Sequence, residues 1–170
     1  EGYFWLVGRK KELIIRGGHN IDPKSIEEAL VTHPAVALCA AVGRPDAHAG
    51  EVPVAYVQLR PGAQANEKEL LAHATAHIAE RAAVPKAVMI LPALPVTAVG
   101  KIFKPTLSMR EVEATVRSEA ARAGITLTTL EVVQDPKRGL LAHCAVAGSD
   151  GAAMSEALGR YTFAHDITKV

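Results

Sequence analysis

The sequence has few aromatic residues: one Trp, three Tyr and three Phe, 4% of 170 residues. Because 49% of the residues are hydrophobic, a packed core is expected, and it must be aliphatic, made of Val, Leu, Ile and Ala. Net charge is also small, with nineteen basic residues against eighteen acidic ones. That balance removes any global electrostatic case for nucleic acid or a membrane surface, while local basic clusters stay open. Cysteine is scarce. Cys39 and Cys144 lie far apart, each in an apolar run, with no C-x-x-C or Cys/His ligand spacing. Buried free thiols in a reducing cytoplasm are the expectation. No apolar run reaches the length of a membrane-spanning helix, no signal-peptide pattern is visible, and there is no internal repeat. The opening Glu1-Gly2-Tyr3-Phe4-Trp5-Leu6 has no initiator Met and reads as a strand, so a piece of a longer protein is expected.

Along the chain, residues 3–7 and 12–16 read as paired strands around Gly8-Arg9-Lys10-Lys11, followed by a flexible Gly17-Gly18 loop. Asp22 caps a helix with Pro23 at its first position, and His33-Pro34 ends it. Residues 35–43 are almost wholly apolar and read as a strand buried on both faces. A loop from Arg44 to Glu51 leads to a strand over 52–59. Asn66 and Glu69 open a second helix, and a third strand covers 87–91. The fold class is α+β: a small mixed three-stranded sheet with flanking helices and an N-terminal β-hairpin, over residues 1–107. Residues 108–170 read as an αββα(β) extension. Its first helix opens at Ser108-x-x-Glu111, and Asp135-Pro136-Lys137-Arg138-Gly139 turns between strands over 125–134 and 140–147. A helix over 152–162 and a strand over 165–170 complete it. If 101–104 adds a strand in front, the order becomes βαββαβ, which is ferredoxin-like.

Two stretches carry chemistry. Pro95-Val96-Thr97-Ala98-Val99-Gly100-Lys101-Ile102 sets a lysine behind a glycine in a loop, a flexible point charge offered to an anion. A phosphate-binding P-loop is excluded, since Pro95 stands where its first glycine belongs and Ile102 where Ser or Thr belongs. On its own the stretch reads equally as a surface lysine in a turn. The second stretch, Gly8-Arg9-Lys10-Lys11-Glu12 with Arg16-Gly17-Gly18-His19-Asn20, reads on its own as a solvated basic hairpin. His73 and His77 have helical i, i+4 spacing, but the run His-Ala-Thr-Ala-His lacks the acidic residue of a metalloprotease motif, so no metal site is assigned. His33 reads as a structural helix-end residue.

Taken together the two stretches change the reading. Gly2-Tyr3-Phe4-Trp5-Leu6-Val7-Gly8-Arg9-x-Lys11-Glu12-Leu13-Ile14, Gly17-Gly18-x-Asn20-Ile21, Ile26-Glu27-Glu28, His33-Pro34-Ala35-Val36, Gly43-Arg44-Pro45-Asp46, Gly50-Glu51, Pro85-Lys86 and Pro95-x-Thr97-x-x-Gly100-Lys101-Ile102 follow in order. This series resembles the C-terminal domain of the adenylate-forming superfamily, which holds acyl-CoA synthetases, nonribosomal-peptide adenylation domains and beetle luciferases. It looks most like a bacterial fatty acyl-CoA synthetase. The resemblance covers roughly residues 1–107 and leaves 108–170 unexplained.

The resemblance implies two half-reactions: a carboxylate attacks ATP to give acyl-adenylate and pyrophosphate, then a thiol, usually that of coenzyme A, displaces AMP. A large N-terminal adenylation domain, the implied partner, holds ATP, Mg²⁺ and the acid. The small domain rotates on a hinge and offers a different face for each step. Lys101 matches the catalytic lysine of the first step, Arg9 a nucleotide-side arginine and Lys11 the hinge residue. Gly17, Gly18, His19 and Asn20 match the loop that enters for the second step. Ile15 stands where some relatives carry a lysine. Lys104 is expected to be exposed or phosphate-facing, and Arg81 and Lys86 to help hold CoA phosphates. The implied acid is a fatty acid, the fragment alone is expected to be inactive, and a homo-oligomer stays open. The competing reading is a standalone CoA- or nucleotide-binding or protein-interaction module.

Overall fold

A computed structural model describes residues 12–170. The strand expected over 3–7 lies outside the described residues, as do Arg9 and Lys11. The elements are β1 (Ile14–Arg16), β2 (His19–Ile21), α1 (Pro23–Val31), β3 (Val36–Asp46), β4 (Gly50–Leu59), α2 (Glu67–His77), β5 (Val88–Ile90), α3 (Lys104–Ala123), β6 (Leu127–Asp135), β7 (Gly139–Val146), α4 (Gly151–Leu158) and β8 (Ala164–Lys169). They form two sheets in an α+β arrangement.

In the first sheet, β3 and β4 pair antiparallel over almost their whole lengths, and β5 runs parallel to β4. These are the three strands expected from the sequence. The β1–β2 hairpin adds to the same edge of β4 as β5, through Arg16 opposite Gly50, so the sheet has five strands. The apolar run of β3 serves two cores. Cys39 and Ala41 face the cluster with Ile26 and Leu30 of α1 and Leu70 and Ala74 of α2. Ala40 and Val42 face Val54, Tyr56 and Leu107 on the other side. Alternation along a strand puts successive side chains on opposite faces, so a strand covered on both sides must be apolar throughout. The helix starts are local. Asp22 accepts the N–H of Lys24 at 3.0 Å and Asn66 that of Glu69 at 2.9 Å.

Four expectations are corrected. Gly17-Gly18 is the turn of the β1–β2 hairpin, with φ of 54° and 87°, rather than a flexible loop after a strand. Two successive positive φ values suit a tight two-residue hairpin, and glycine reaches them without strain. The stretch 44–51 is mostly strand, with a turn only at 47–49. Pro45 is tolerated because β3 lies at the sheet edge. Helix α3 starts at Lys104, not Ser108, and runs for 20 residues. Among the described residues, 101–104 contributes no strand to the second sheet, since Ile102 makes only an isolated bridge to Val96. That sheet therefore has three strands in the order β6-β7-β8, antiparallel then parallel, and the ferredoxin-like order is not formed.

Helix α3 joins the two halves. Its Leu107 packs with Ala40, Val42, Val54 and Tyr56 on one face of the first sheet, while Val112, Val116 and Ala120 pack with Ala142, Cys144, Val146, Met154 and Leu158 in a third core. Glu111, 2% exposed, turns toward the first sheet, where it takes Arg44 Nε at 2.5 Å and the Tyr56 hydroxyl. Cys39 and Cys144 are buried free thiols. Burial, with the charge of Glu27 behind it, pushes the Cys39 thiol up to about 12. No helix among the described residues is long and apolar enough to cross a membrane.

Candidate functional site

Lys101 sits in a small hairpin outside both sheets. Leu94, 4% exposed, roots it in the core, and its N–H donates to Gln58 Oε1 at 3.0 Å. The N–H of Phe103 donates to the Pro95 carbonyl at 2.8 Å and closes the base. Thr97 ties the tip: its N–H donates to the Lys101 carbonyl at 2.7 Å, its carbonyl accepts from Gly100 at 2.8 Å, and its hydroxyl accepts from the Lys101 N–H at 3.2 Å. Gly100 takes a φ of 76°, as the turn requires. The backbone beneath the lysine is thus fixed while the lysine itself is exposed. Among the described residues no acidic side chain pairs with it. Val96 and Val99 flank it at 53% and 79% exposure. The site is a cation on a rigid, partly apolar projection, suited to entering a water-poor anionic site.

Gly17 and Gly18 form the second face. The N–H of Gly17 donates to the Ala49 carbonyl at 2.8 Å, and Arg16 Nη1 donates to the Ala82 carbonyl at 2.6 Å. A Cβ on either glycine would meet nothing within 4 Å, so the loop borders open space. His19 and Asn20 are exposed on β2, with His19 Nδ1 3.9 Å from Glu80. Arg81 and Lys86 are exposed as well. The two hairpins have different anchors. The glycine turn hangs from the Gly50 end of β4, and the Lys101 hairpin is rooted at its Gln58 end. Ten residues of strand span about 30 Å at ~3.3 Å per residue. Among the described residues no hydrogen bond or ion pair joins the two hairpins: they are two projections with different anchors, whose flanks meet where Lys104 lies 3.7 Å from Glu12.

Lys104 departs from expectation. It is a tether, its Nζ 2.7 Å from Glu27 Oε1 and 3.7 Å from Glu12 Oε2 with only 20% of the side chain exposed. Sequence reading missed Gln58, and although Glu27 stands in the Ile26-Glu27-Glu28 match it missed what Glu27 holds, because each acts on a segment distant in sequence. The histidines work in helix packing. His73 stacks on His77 at 4.0 Å and meets His33 edge-on at 5.0 Å. His73 Nε2 lies 2.8 Å from the Thr32 hydroxyl, and His77 Nδ1 lies 2.8 Å from the His73 carbonyl. Burial, and then His77, hold the His73 imidazole below its ordinary range.

Residues 25–101 match the family described as AMP-binding enzyme C-terminal domain. The chain is 46% identical over 140 residues to a marinolic acid–CoA ligase of Pseudoalteromonas sp., covering 82% of this chain and 21% of that protein. A match of that length in a 170-residue chain necessarily reaches past residue 107. Identity to a long-chain-fatty-acid–CoA ligase of Bacillus subtilis is 44% over 113 residues, covering 66% and 20%. Among solved structures, ATP-bound MatB from Rhodopseudomonas palustris superimposes with a TM-score of 0.55 at 34% identity, over 60% of this chain and 20% of that one. A Mycobacterium tuberculosis fatty acyl CoA synthetase gives 0.57 at 30% identity, over 62% and 21%. The chain spans about a fifth of the length of these relatives.

Proposed function

Because residues 25–101 belong to the AMP-binding enzyme C-terminal domain family of acyl-CoA ligases, we propose that this chain is the mobile lid of an AMP-forming acid–CoA ligase. Residues 1–107 are the lid and 108–170 an extension of it. The observation that carries the reading is Lys101: an exposed lysine, with no acidic partner among the described residues, on a hairpin braced by Thr97. In the first half-reaction the carboxylate oxygen of the acid attacks the α-phosphorus of ATP, and pyrophosphate leaves. Lys101 stands between the two anions and offsets the charge gathering there. In the second, the thiol of CoA attacks the acyl carbonyl and AMP leaves. The Gly17–Asn20 segment then faces the site, and the bare Gly17-Gly18 tip leaves a path for the pantetheine arm.

Anchoring the two projections at opposite ends of β4 supports this alternation, since one rigid placement of the lid does not bring both forward. Mg²⁺, ATP and the acid are held chiefly by the N-terminal adenylation domain, Arg9 faces the nucleotide, and Lys11 is the hinge. The acid is of the fatty class, and the fragment alone is inactive.

The test is Lys101→Ala in the full-length enzyme. Adenylation, read as pyrophosphate release, is expected to fall by about 10²–10³, the scale of losing one preorganised charge-stabilising donor. Thioester formation from preformed acyl-adenylate stays within a few fold. Equal loss in both steps overturns the division of labour.

A further inference from the structure

The glycine hairpin is held from behind by one carboxylate. Glu51 follows Gly50 on β4, and its Oε2 accepts the N–H of Ile15, two residues before the turn, at 2.9 Å. To reach it the side chain crosses Gly43 on the neighbouring strand. A Cβ on Gly43 would stand 2.6 Å from Glu51 Cδ and 2.7 and 2.8 Å from its oxygens, closer than such atoms ever lie. Gly43 has no positive φ. What it supplies is space, a corridor for the carboxylate, rather than backbone freedom. Gly50 serves the same contact by its close approach: its φ is 79°, and a Cβ there would meet the Ile15 carbonyl at 3.4 Å. The far side of Glu51 and Gly43 is walled by Ser108, Val112, Arg138 and Phe163. Burial raises the Glu51 carboxyl above its ordinary range, against the lowering effect of the Ile15 N–H.

We infer that Glu51 is a positioning residue for the Gly17–Asn20 hairpin, and that Gly43 is glycine so that the Glu51 carboxylate can reach Ile15. Its consequence for catalysis rests on the reading of that hairpin as the thioester-forming face. Ile14 and Ile21 root the hairpin in the core, but its strand β1 meets β4 at the Arg16–Gly50 pair alone, and beside the Gly17 N–H to Ala49 and Arg16 to Ala82 bonds it has few polar ties to the body of the domain. One charge-assisted bond at Ile15 is then a large part of what fixes its angle.

The experiment uses the full-length enzyme and reads amide hydrogen exchange over residues 14–21 beside the two half-reactions. Glu51→Ala is expected to speed exchange there about tenfold, the scale of losing a hydrogen bond to a charged group. Glu51→Gln, which still offers an oxygen, changes it less. Gly43→Ala, which fills the corridor, behaves like Glu51→Ala, and it adds nothing when Glu51 is already alanine. Thioester formation falls with exchange, about tenfold, and more than adenylation does. Unchanged exchange in both Glu51→Ala and Gly43→Ala overturns the inference whatever the rates do, and so do additive effects in the double variant. Faster exchange with an unchanged thioester step upholds the positioning role and overturns instead the assignment of the hairpin to that step.

Discussion

Lys104 is held by Glu27 at 2.7 Å, so the chain is pinned three residues beyond Lys101. The same Glu27 oxygen accepts the N–H of Ala41 at 2.8 Å, on the outer edge of β3, which pairs with no further strand. One carboxylate therefore blunts a sheet edge and fixes the start of α3, and with it one leg of the Lys101 hairpin. Its removal takes the acceptor from the Ala41 N–H and leaves Lys104 with Glu12 Oε2 at 3.7 Å. Glu27→Ala is expected to destabilise the chain by about 1–3 kcal/mol in urea unfolding. Lys104→Met, which keeps the packing of the stem, costs less. On the function proposed above, both substitutions are expected to slow adenylation more than thioester formation in the full-length protein. Equal slowing of the two steps would show that the tether acts on general stability and not on the hairpin.

Gly17 and Gly18 make a different demand. Nothing lies within 4 Å of where their side chains would begin, so the only penalty of a substitution is the backbone's. At φ of 54° and 87°, alanine at either position costs about 1–2 kcal/mol. Asn visits that region more readily, so Gly17→Asn should cost less than Gly17→Ala. Thermal unfolding of the two Gly17 variants checks the order. If both cost the same, the turn is limited by packing and not by φ.

Glu111 is the carboxylate that ties α3 to the first sheet. It is buried on α3, with Arg44 Nη2 at 3.4 Å from one oxygen and Nε at 2.5 Å from the other. The Tyr56 hydroxyl donates to it as well. Burial first, and then this carboxylate, push the Tyr56 phenol well above its ordinary range. Glu111→Ala leaves the Tyr56 hydroxyl and the partly exposed Arg44 guanidinium without their acceptor and is expected to cost about 1–3 kcal/mol in denaturant unfolding. Replacing the set together, with Arg44→Met, Glu111→Leu and Tyr56→Phe, removes the desolvation penalty along with the pairing and should recover most of that loss. No recovery in the triple variant would mean that the site is held by shape rather than by charge.

These residues also mark where sequence reading succeeds and where it stops. Asp22-Pro23 and Asn66-Glu69 set helix starts through bonds made within three residues, and both were legible. Ser108-x-x-Glu111 has the same local form and misled. Glu111 is needed by Arg44 and Tyr56 on the sheet, so its carboxylate turns there, and the helix begins a turn earlier with Pro105 as its second residue. Pro45 reads as a loop because proline lacks a donor, yet on an edge strand that donor is not required. Lys101 was visible because Gly100 and Thr97 stand beside it in the chain. The groups that hold the two candidate faces, Gln58, Glu27 and Glu51, bond to partners far away in sequence. Such pairings are consequences of the fold, and no local pattern encodes them.

Glu119, also on α3, gives the extension its own acid sensitivity. Its side chain is only 10% exposed, and burial alone would raise its pKa. Donors outweigh that: Arg122, Arg160 Nη2 at 2.7 Å and the Tyr161 hydroxyl at 2.8 Å bring the carboxyl down to about 2, from an ordinary value of 4.5. A folded pKa below the unfolded one means that the unfolded state binds the proton first as pH falls. The stabilisation is complete above about pH 5, declines as protons bind the unfolded carboxyl, and is gone once pH passes below about 2. Its full size is on the order of 3 kcal/mol, one pKa step being about 1.4. Other depressed carboxylates, Asp46 and Asp166 among them, weaken the chain over the same range. The difference between the native chain and Glu119→Gln removes that shared background. Urea unfolding of the two, measured from pH 6 to pH 2, should show a gap that is widest at pH 6 and shrinks toward pH 2. Parallel curves would mean that Glu119 titrates alike in both states, and the three donors would then be neighbours of the carboxylate without being its support.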